Sequence, residues 1–259
     1  MSNQKITIAD IKSKYNEFLA KEGVSLDYHN LWGHFVWTRI SYYPAWLFLK
    51  LRISANMVTL SAFIVGFAGC LLLANGSSIG VVIGALLINI CAFLDYVDGH
   101  VARCRGSSSN YGQFVDSINI HTIGCLFFMS AGIGAFLTFD IHHDPLAYFL
   151  SKSILDKSVF LVLGGWASVF YLLLHLVSFI FERTLSRDML PFIAGLRIKS
   201  FSPIIKVGAT LNSATGIVTP VLLVAAIFKF LGTFVSLWAL INTLAFVFLL
   251  FQMIRKGRV

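Results

Sequence analysis

Six long apolar runs, at about 55–75, 79–103, 112–137, 158–181, 212–231 and 233–254, constrain the fold of this chain more than any other feature. Each is long enough for a helix crossing the hydrocarbon core of a bilayer, which takes about 20 residues. Of the 259 residues, 57% are hydrophobic and only 12% charged, and the mean hydropathy is +0.80. A soluble domain would carry about a quarter charged residues, so an ordinary globular protein is excluded. The expectation is an all-α polytopic membrane protein of one domain. The opening Met1–Lys5 lacks the basic, apolar, small-residue succession of a cleaved signal peptide, so insertion is expected to use the internal runs. Cys70, Cys91, Cys104 and Cys125 lie in or beside the runs without metal-ligand spacing, and they read as small helix residues.

Ahead of the runs, Ile8, Ile11, Tyr15, Phe18 and Leu19 recur at helical spacing, and Thr7 with Asp10 has the form of a capping box. This predicts an amphipathic helix, lying either on the membrane surface or against the protein body. From Trp32 to Leu51, Trp32, Trp37, Tyr42, Tyr43 and Trp46 mix with Arg39, Lys50 and Arg52, and Pro44 interrupts the stretch. Aromatics interleaved with cations suit the headgroup level, so an interfacial helix is expected there, not a crossing. The expected organisation is an N-terminal segment over 1–35 and a six-helix membrane domain over 36–259.

The cations orient the runs. With the amino terminus inside, 17 of the 20 Lys and Arg fall on one side, leaving Lys152, Lys157 and Lys229 on the other. The positive-inside rule then puts both termini in the cytoplasm, with the 104–111 and 182–211 connections. The net charge of +8 is accounted for by this topology, without a nucleic-acid partner.

Only 12 residues are acidic, and three of them, Asp95, Asp98 and Asp116, interrupt apolar runs near their cytoplasmic ends. An ionisable group at such depth is costly, so it usually faces a cavity and has a partner. At about 100° per residue, Asp95 and Asp98 lie about 60° apart on one helix face, with Ala102 about 20° from Asp95 and Gly99 alongside. After the polar turn that Arg103 and Arg105 begin, Gly112 and Asp116 share a face of the returning helix. A short hairpin brings the two faces together. Three converging carboxylates call for a divalent cation, and oxygen-only ligands favour Mg²⁺, Mn²⁺ or Ca²⁺. Ion pairing with Arg103 or Arg105 is the structural alternative.

These residues carry a resemblance. Asp95-Tyr-Val-Asp98-Gly99-His-Val-Ala102-Arg103, eight residues, then Gly112-Gln-Phe-Val-Asp116, resembles the D-x2-D-G-x2-A-R-x8-G-x3-D-x3-D signature of the CDP-alcohol phosphatidyltransferases, and every spacing agrees through Asp116. Six spans behind an interfacial helix are similar to the same family. The resemblance implies that Asp95, Asp98 and Asp116 are metal ligands for Mg²⁺ (or Mn²⁺), with Asp116 in the catalytic centre. It also implies that Gly99, Ala102, Arg103 and Gly112 line a site for a CDP-alcohol such as CDP-diacylglycerol, that the substituted phosphate passes to an acceptor with release of CMP, and that the chain is a homodimer. Ser54-Ala-Asn56-Met-Val-Thr59 is similar to the family's P-N-x-x-T, which brings Asn56 and Thr59 into the substrate site.

One departure stands out. The signature's last aspartate, the acceptor's general base in the family, falls at Ile120. Asn119, about 60° from Asp116, offers an amide oxygen to a metal or substrate but is no base. His100, beside Gly99, is the nearest titrating candidate, whereas His121 points about 140° from the Asp116 face. Three accounts fit Ile120: an acceptor already anionic, a base from elsewhere, or a protein that binds a CDP-alcohol and turns it over weakly or not at all. Arg183, Arg187 and Arg197 in the 182–211 connection are read either as positive-inside bias or as a second anion site for such an acceptor. A transporter ranks last, since neither repeats nor midplane charges are present.

Overall fold

In a computed structural model, residues 6–21, 32–107, 110–139, 142–152, 156–197 and 216–256 are described, and they form helices joined by turns. In chain order these are α1 (Ile8–Lys21), α2 (Thr38–Lys50), α3 (Ala55–Leu73), α4 (Ser78–Arg105), α5 (Asn110–Leu137), α6 (Pro145–Ser151), α7 (Val159–Arg197), α8 (Val218–Ile227) and α9 (Leu231–Lys256). Five segments are long and apolar enough to cross a bilayer: Ala55–Leu73, Ser78–Arg105, Phe114–Leu137, Val159–Val177 and Leu231–Phe251. The chain is an integral membrane protein.

Two boundaries differ from the sequence reading. Within the run at 212–231, the described helix α8 covers Val218–Ile227, and residues 201–215 lie outside the described set. At the end of the fourth run the helix does not stop near 181, because α7 continues to Arg197 over 39 residues. At about 1.5 Å per residue such a helix outruns a hydrocarbon core of about 30 Å, so its cationic end is a helical extension and not a loop. Pro44 does not interrupt its element either. A π-helical stretch over Gly33–Trp37 feeds directly into α2, which runs through Pro44. Ile40, whose carbonyl loses its usual donor there, is exposed.

In the order of packing, α3 lies between α4 and α5, α5 against α7, α7 against α9, and α8 on α4. Lipid supplies no hydrophobic drive between helices, so close approach depends on small residues. A Cβ on Gly84 of α4 would stand 2.5 Å from Leu73 N and 2.6 Å from Gly69 O of α3, and one on Gly164 of α7 would stand 2.7 Å from Gly132 Cα of α5. Side-chain hydrogen bonds lock the rest. Asn89 Nδ2 donates to Thr219 O at 2.7 Å, and Asn242 Nδ2 donates to Ala167 O at 2.9 Å. Asp144, 4% exposed, accepts from the backbone N–H groups of Leu146 and Thr233, both at 3.0 Å, and so caps α6 and α9 together.

The amphipathic N-terminal helix is docked on the protein body, the second of its two expected placements. α1 packs on α2 and α4 and buries Ile11 completely. Its capping box forms as the sequence suggests: Thr7 N donates to Asp10 Oδ2 at 2.7 Å and Asp10 N donates to Thr7 Oγ1 at 3.3 Å. Trp46 Nε1 of α2 adds a bond to Ile6 O at 3.0 Å.

Candidate metal and nucleotide site

The α4–α5 hairpin builds the site. α4 ends in a left-handed cap at Gly106, φ 62°, which lets Ser107 N reach Ala102 O at 3.1 Å and turns the chain back within a few residues. The three aspartates then converge as their helical spacing predicts. Asp95, Asp98 and Asp116 each bring an oxygen into a group lying within 4.8 Å of one another. From α3, Thr59 Oγ1 donates to Asp98 Oδ2 at 2.6 Å in a buried contact. Asp95 Oδ1 and Asp116 Oδ1 are buried and no protein donor meets them.

The structural alternative, neutralisation by arginine, is not what the side chains do. Arg103 lies over the rings of Tyr15 and Phe18 of α1, 5.4 and 5.2 Å from their centroids, and its Nη2 is 3.2 Å from His100 Nδ1. Arg105 is exposed. Among the described residues no cation pairs with the three carboxylates. Three carboxylates with oxygens within 4.8 Å of one another, Asp95 Oδ1 and Asp116 Oδ1 buried and unpartnered, suit an oxygen-ligated divalent cation, so these residues fit Mg²⁺ or Mn²⁺.

The remaining sequence candidates divide. Gly99 is the floor the sequence implies, but Arg103 covers part of it, and a Cβ there would stand 2.9 Å from the guanidinium. Ala102 and Gly112 are half-buried at the mouth of the hairpin. Thr59 serves Asp98, whereas Asn56, a turn earlier, is exposed. His100 is not brought to the carboxylates. Two residues beyond Asp98, it points to the opposite side of α4, fully buried between Tyr15 (5.2 Å) and Tyr42 (4.8 Å). Arg183, Arg187 and Arg197 lie on the α7 extension, and their side chains are outside the described residues.

Behind the carboxylates, a small cavity runs toward the middle of the bundle. Cys91, Asp95, Asn119, Ile120, Gly124 and Thr219 are among its walls. Ile120 thus faces the site from the position its number suggests, and with an apolar side chain. Asn119 is 4% exposed and its Oδ1 has no partner, and Thr219 Oγ1 is also unpartnered. The unpartnered hydroxyl of Tyr171 presses against Gly124, where a Cβ would stand 2.5 Å from its ring. Sequence reasoning missed Thr219 and Tyr171. One hydroxyl in an apolar run carries no signal until α8 and α7 are packed on the hairpin.

A family model described as CDP-alcohol phosphatidyltransferase matches residues 52–254, which is more than half of the chain. Among curated proteins, none matches.

Proposed function

This chain belongs to the CDP-alcohol phosphatidyltransferase family, and from that membership we propose that it transfers a substituted phosphate from a CDP-alcohol to an acceptor and releases CMP. The observation that carries the reading is the set of three carboxylates that meet at one hairpin, with Asp95 Oδ1 and Asp116 Oδ1 buried and unpartnered. Asp95, Asp98 and Asp116 would hold Mg²⁺ or Mn²⁺, which would supply charge neutralisation for a diphosphate. The chain's own work is positional. Thr59 fixes the direction of Asp98, and the small surface at Gly99, Ala102 and Gly112 leaves room for the cytidine. An acceptor oxygen bonds to the phosphorus bearing the alcohol while the bond from that phosphorus to CMP breaks.

Several finer points belong to the same proposal. The acceptor is anionic, which agrees with an apolar Ile120 where a base would stand and with the arginines of the α7 extension. The membrane domain spans 36–259, both termini face the cytoplasm on the strength of the cation asymmetry, and the family resemblance suggests a homodimer in the lipid-synthesis machinery of its membrane. Ile120 also favours a second reading, a homologue that binds a CDP-alcohol with little turnover.

One assay separates the two. Purified protein is incubated with CDP-diacylglycerol or other CDP-alcohols, Mg²⁺ and candidate acceptors, and CMP is measured for wild type and Asp116→Asn. Transfer predicts CMP release that needs Asp116. Binding of a CDP-alcohol without CMP from any donor and acceptor pair refutes the enzyme and leaves the binder.

A further inference from the structure

We propose that Asn119 Oδ1 is a fourth oxygen ligand of the divalent cation, a neutral donor from α5 that completes the set begun by Asp95, Asp98 and Asp116. This rests on the three aspartates being a cation site. Asn119 is 4% exposed, its amide oxygen has no hydrogen-bond partner, and it lines the same cavity as Asp95, whose Oδ1 is likewise unpartnered. A buried carbonyl oxygen without a donor is uncommon in a folded protein and calls for a partner of its own.

Helix geometry supplies the rest. Asn119 follows Asp116 by three residues, so it lies about 60° round α5 and one turn deeper. Asp95 stands in the same relation to Asp98 on α4, one turn further from the connecting hairpin. The deeper turn of each helix therefore brings one oxygen donor to the cavity. An amide oxygen is a hard ligand of the kind that Mg²⁺, Mn²⁺ and Ca²⁺ accept beside carboxylates. The neighbouring Ile120 has no donor, and Cys91 offers only a soft thiol in the same cavity. Unlike an aspartate, Asn119 adds no charge and takes no proton, so the site gains a ligand without gaining a base. The competing role is a hydrogen bond from a substrate hydroxyl to the same oxygen.

The test reads metal binding without turnover. Full-length protein in nanodiscs is titrated with Mn²⁺ and free Mn²⁺ is followed by electron paramagnetic resonance, for wild type, Asn119→Ala, Asn119→Asp and Asp116→Asn. Asn119→Ala is expected to weaken Mn²⁺ binding about 10-fold or more, and the near-isosteric Asn119→Asp to tighten it. If Asn119→Ala is poorly folded by circular dichroism, Asn119→Asp decides: unchanged or weaker Mn²⁺ binding overturns the proposal. Loss of binding in Asp116→Asn with wild-type affinity in Asn119→Ala overturns the fourth ligand alone and leaves the proposed activity standing. No Mn²⁺ binding by wild type overturns both.

Discussion

Replacing Thr59 with Val removes one hydroxyl and keeps the branched shape, so it isolates the contact with Asp98. The 2.6 Å separation of Thr59 Oγ1 and Asp98 Oδ2 is that of a charge-assisted bond, and bonds to charged groups contribute about 1.5–3 kcal/mol. Thr59 is 6% exposed, so water does not readily replace the hydroxyl. The same hydroxyl is 3.1 Å from Ala55 O, but that carbonyl belongs to the helix ladder and tolerates the loss. The cost should therefore fall on the carboxylate. With a factor of ten for each ~1.4 kcal/mol, and in line with what removing a group that orients a metal ligand does, the Mg²⁺ concentration for half-maximal CMP release should rise about 10- to 100-fold. Mn²⁺ affinity should fall in parallel, and the thermal midpoint should drop by several degrees. Thr59→Ser should restore most of the loss. A Thr59→Val protein with wild-type dependence on Mg²⁺ would mean that Asp98 is oriented by something else, and the role given to α3 would be wrong.

Other perturbations report on other parts of the fold. Gly164→Ala puts a Cβ 2.7 Å from Gly132 Cα, and the overpacking should cost about 1–3 kcal/mol, read as a lower thermal midpoint in detergent. Asp144→Ala strands the N–H of Thr233, at a cost of about 1–3 kcal/mol, and leaves Leu146 N–H only its 3.3 Å bond to Thr233 Oγ1; an unchanged midpoint would show that the double cap is dispensable. Ile120→Asp places a carboxylate in the cavity wall, and if a base limits hydroxyl transfer the CMP rate should rise, by up to about 10²- to 10⁴-fold; no gain would remove the base from the argument. Thr7 N–H and Oγ1 hold the Asp10 carboxyl below its ordinary value of 3.8. A lowered folded value adds stability that is fully present above 3.8 and lost as pH falls from there through the lowered value, so amide protection in α1, relative to the intrinsic exchange rate, should begin to fall below about pH 4 and lose that step in Asp10→Ala.

The carboxylate site was legible because its geometry is local. Two helices joined by a short turn, with Asp95, Asp98 and Asp116 at fixed offsets, leave little freedom for anything but convergence. The crossings were legible for a similar reason, since about 20 apolar residues in sequence admit one kind of solution. What could not be read depends on contacts distant in sequence. α1 has an apolar stripe that suits lipid or protein equally, and only the packing of Tyr15 against His100 and Arg103 decides between them. His100, which adjoins Gly99 in sequence, stands two residues past Asp98, so the helix turn itself aims it away from the carboxylates and into that packing. The extension of α7 to Arg197 was hidden because charge ends an apolar run without ending a helix.

Polar groups in the apolar part of this fold fall into two populations, and the division separates scaffold from site. Asn89, Ser168 and Asp144 are buried with partners that join elements: Asn89 to Thr219 O, Ser168 to Cys125 O, Asp144 to Thr233. Removing any of them should loosen helices. Asp95 Oδ1, Asp116 Oδ1, Asn119 Oδ1 and Thr219 Oγ1 have no partner, and Asp95, Asn119 and Thr219 line one cavity. Asn242 Oδ1 shows that an unpartnered oxygen also occurs outside this cavity, so a single orphan decides nothing. Three of them in one cavity, beside a carboxylate group without a paired cation, are different. A fold stabilised only for its own sake would have filled that space with side chains as apolar as Ile120, and the unmet oxygens are what the proposed cation would satisfy.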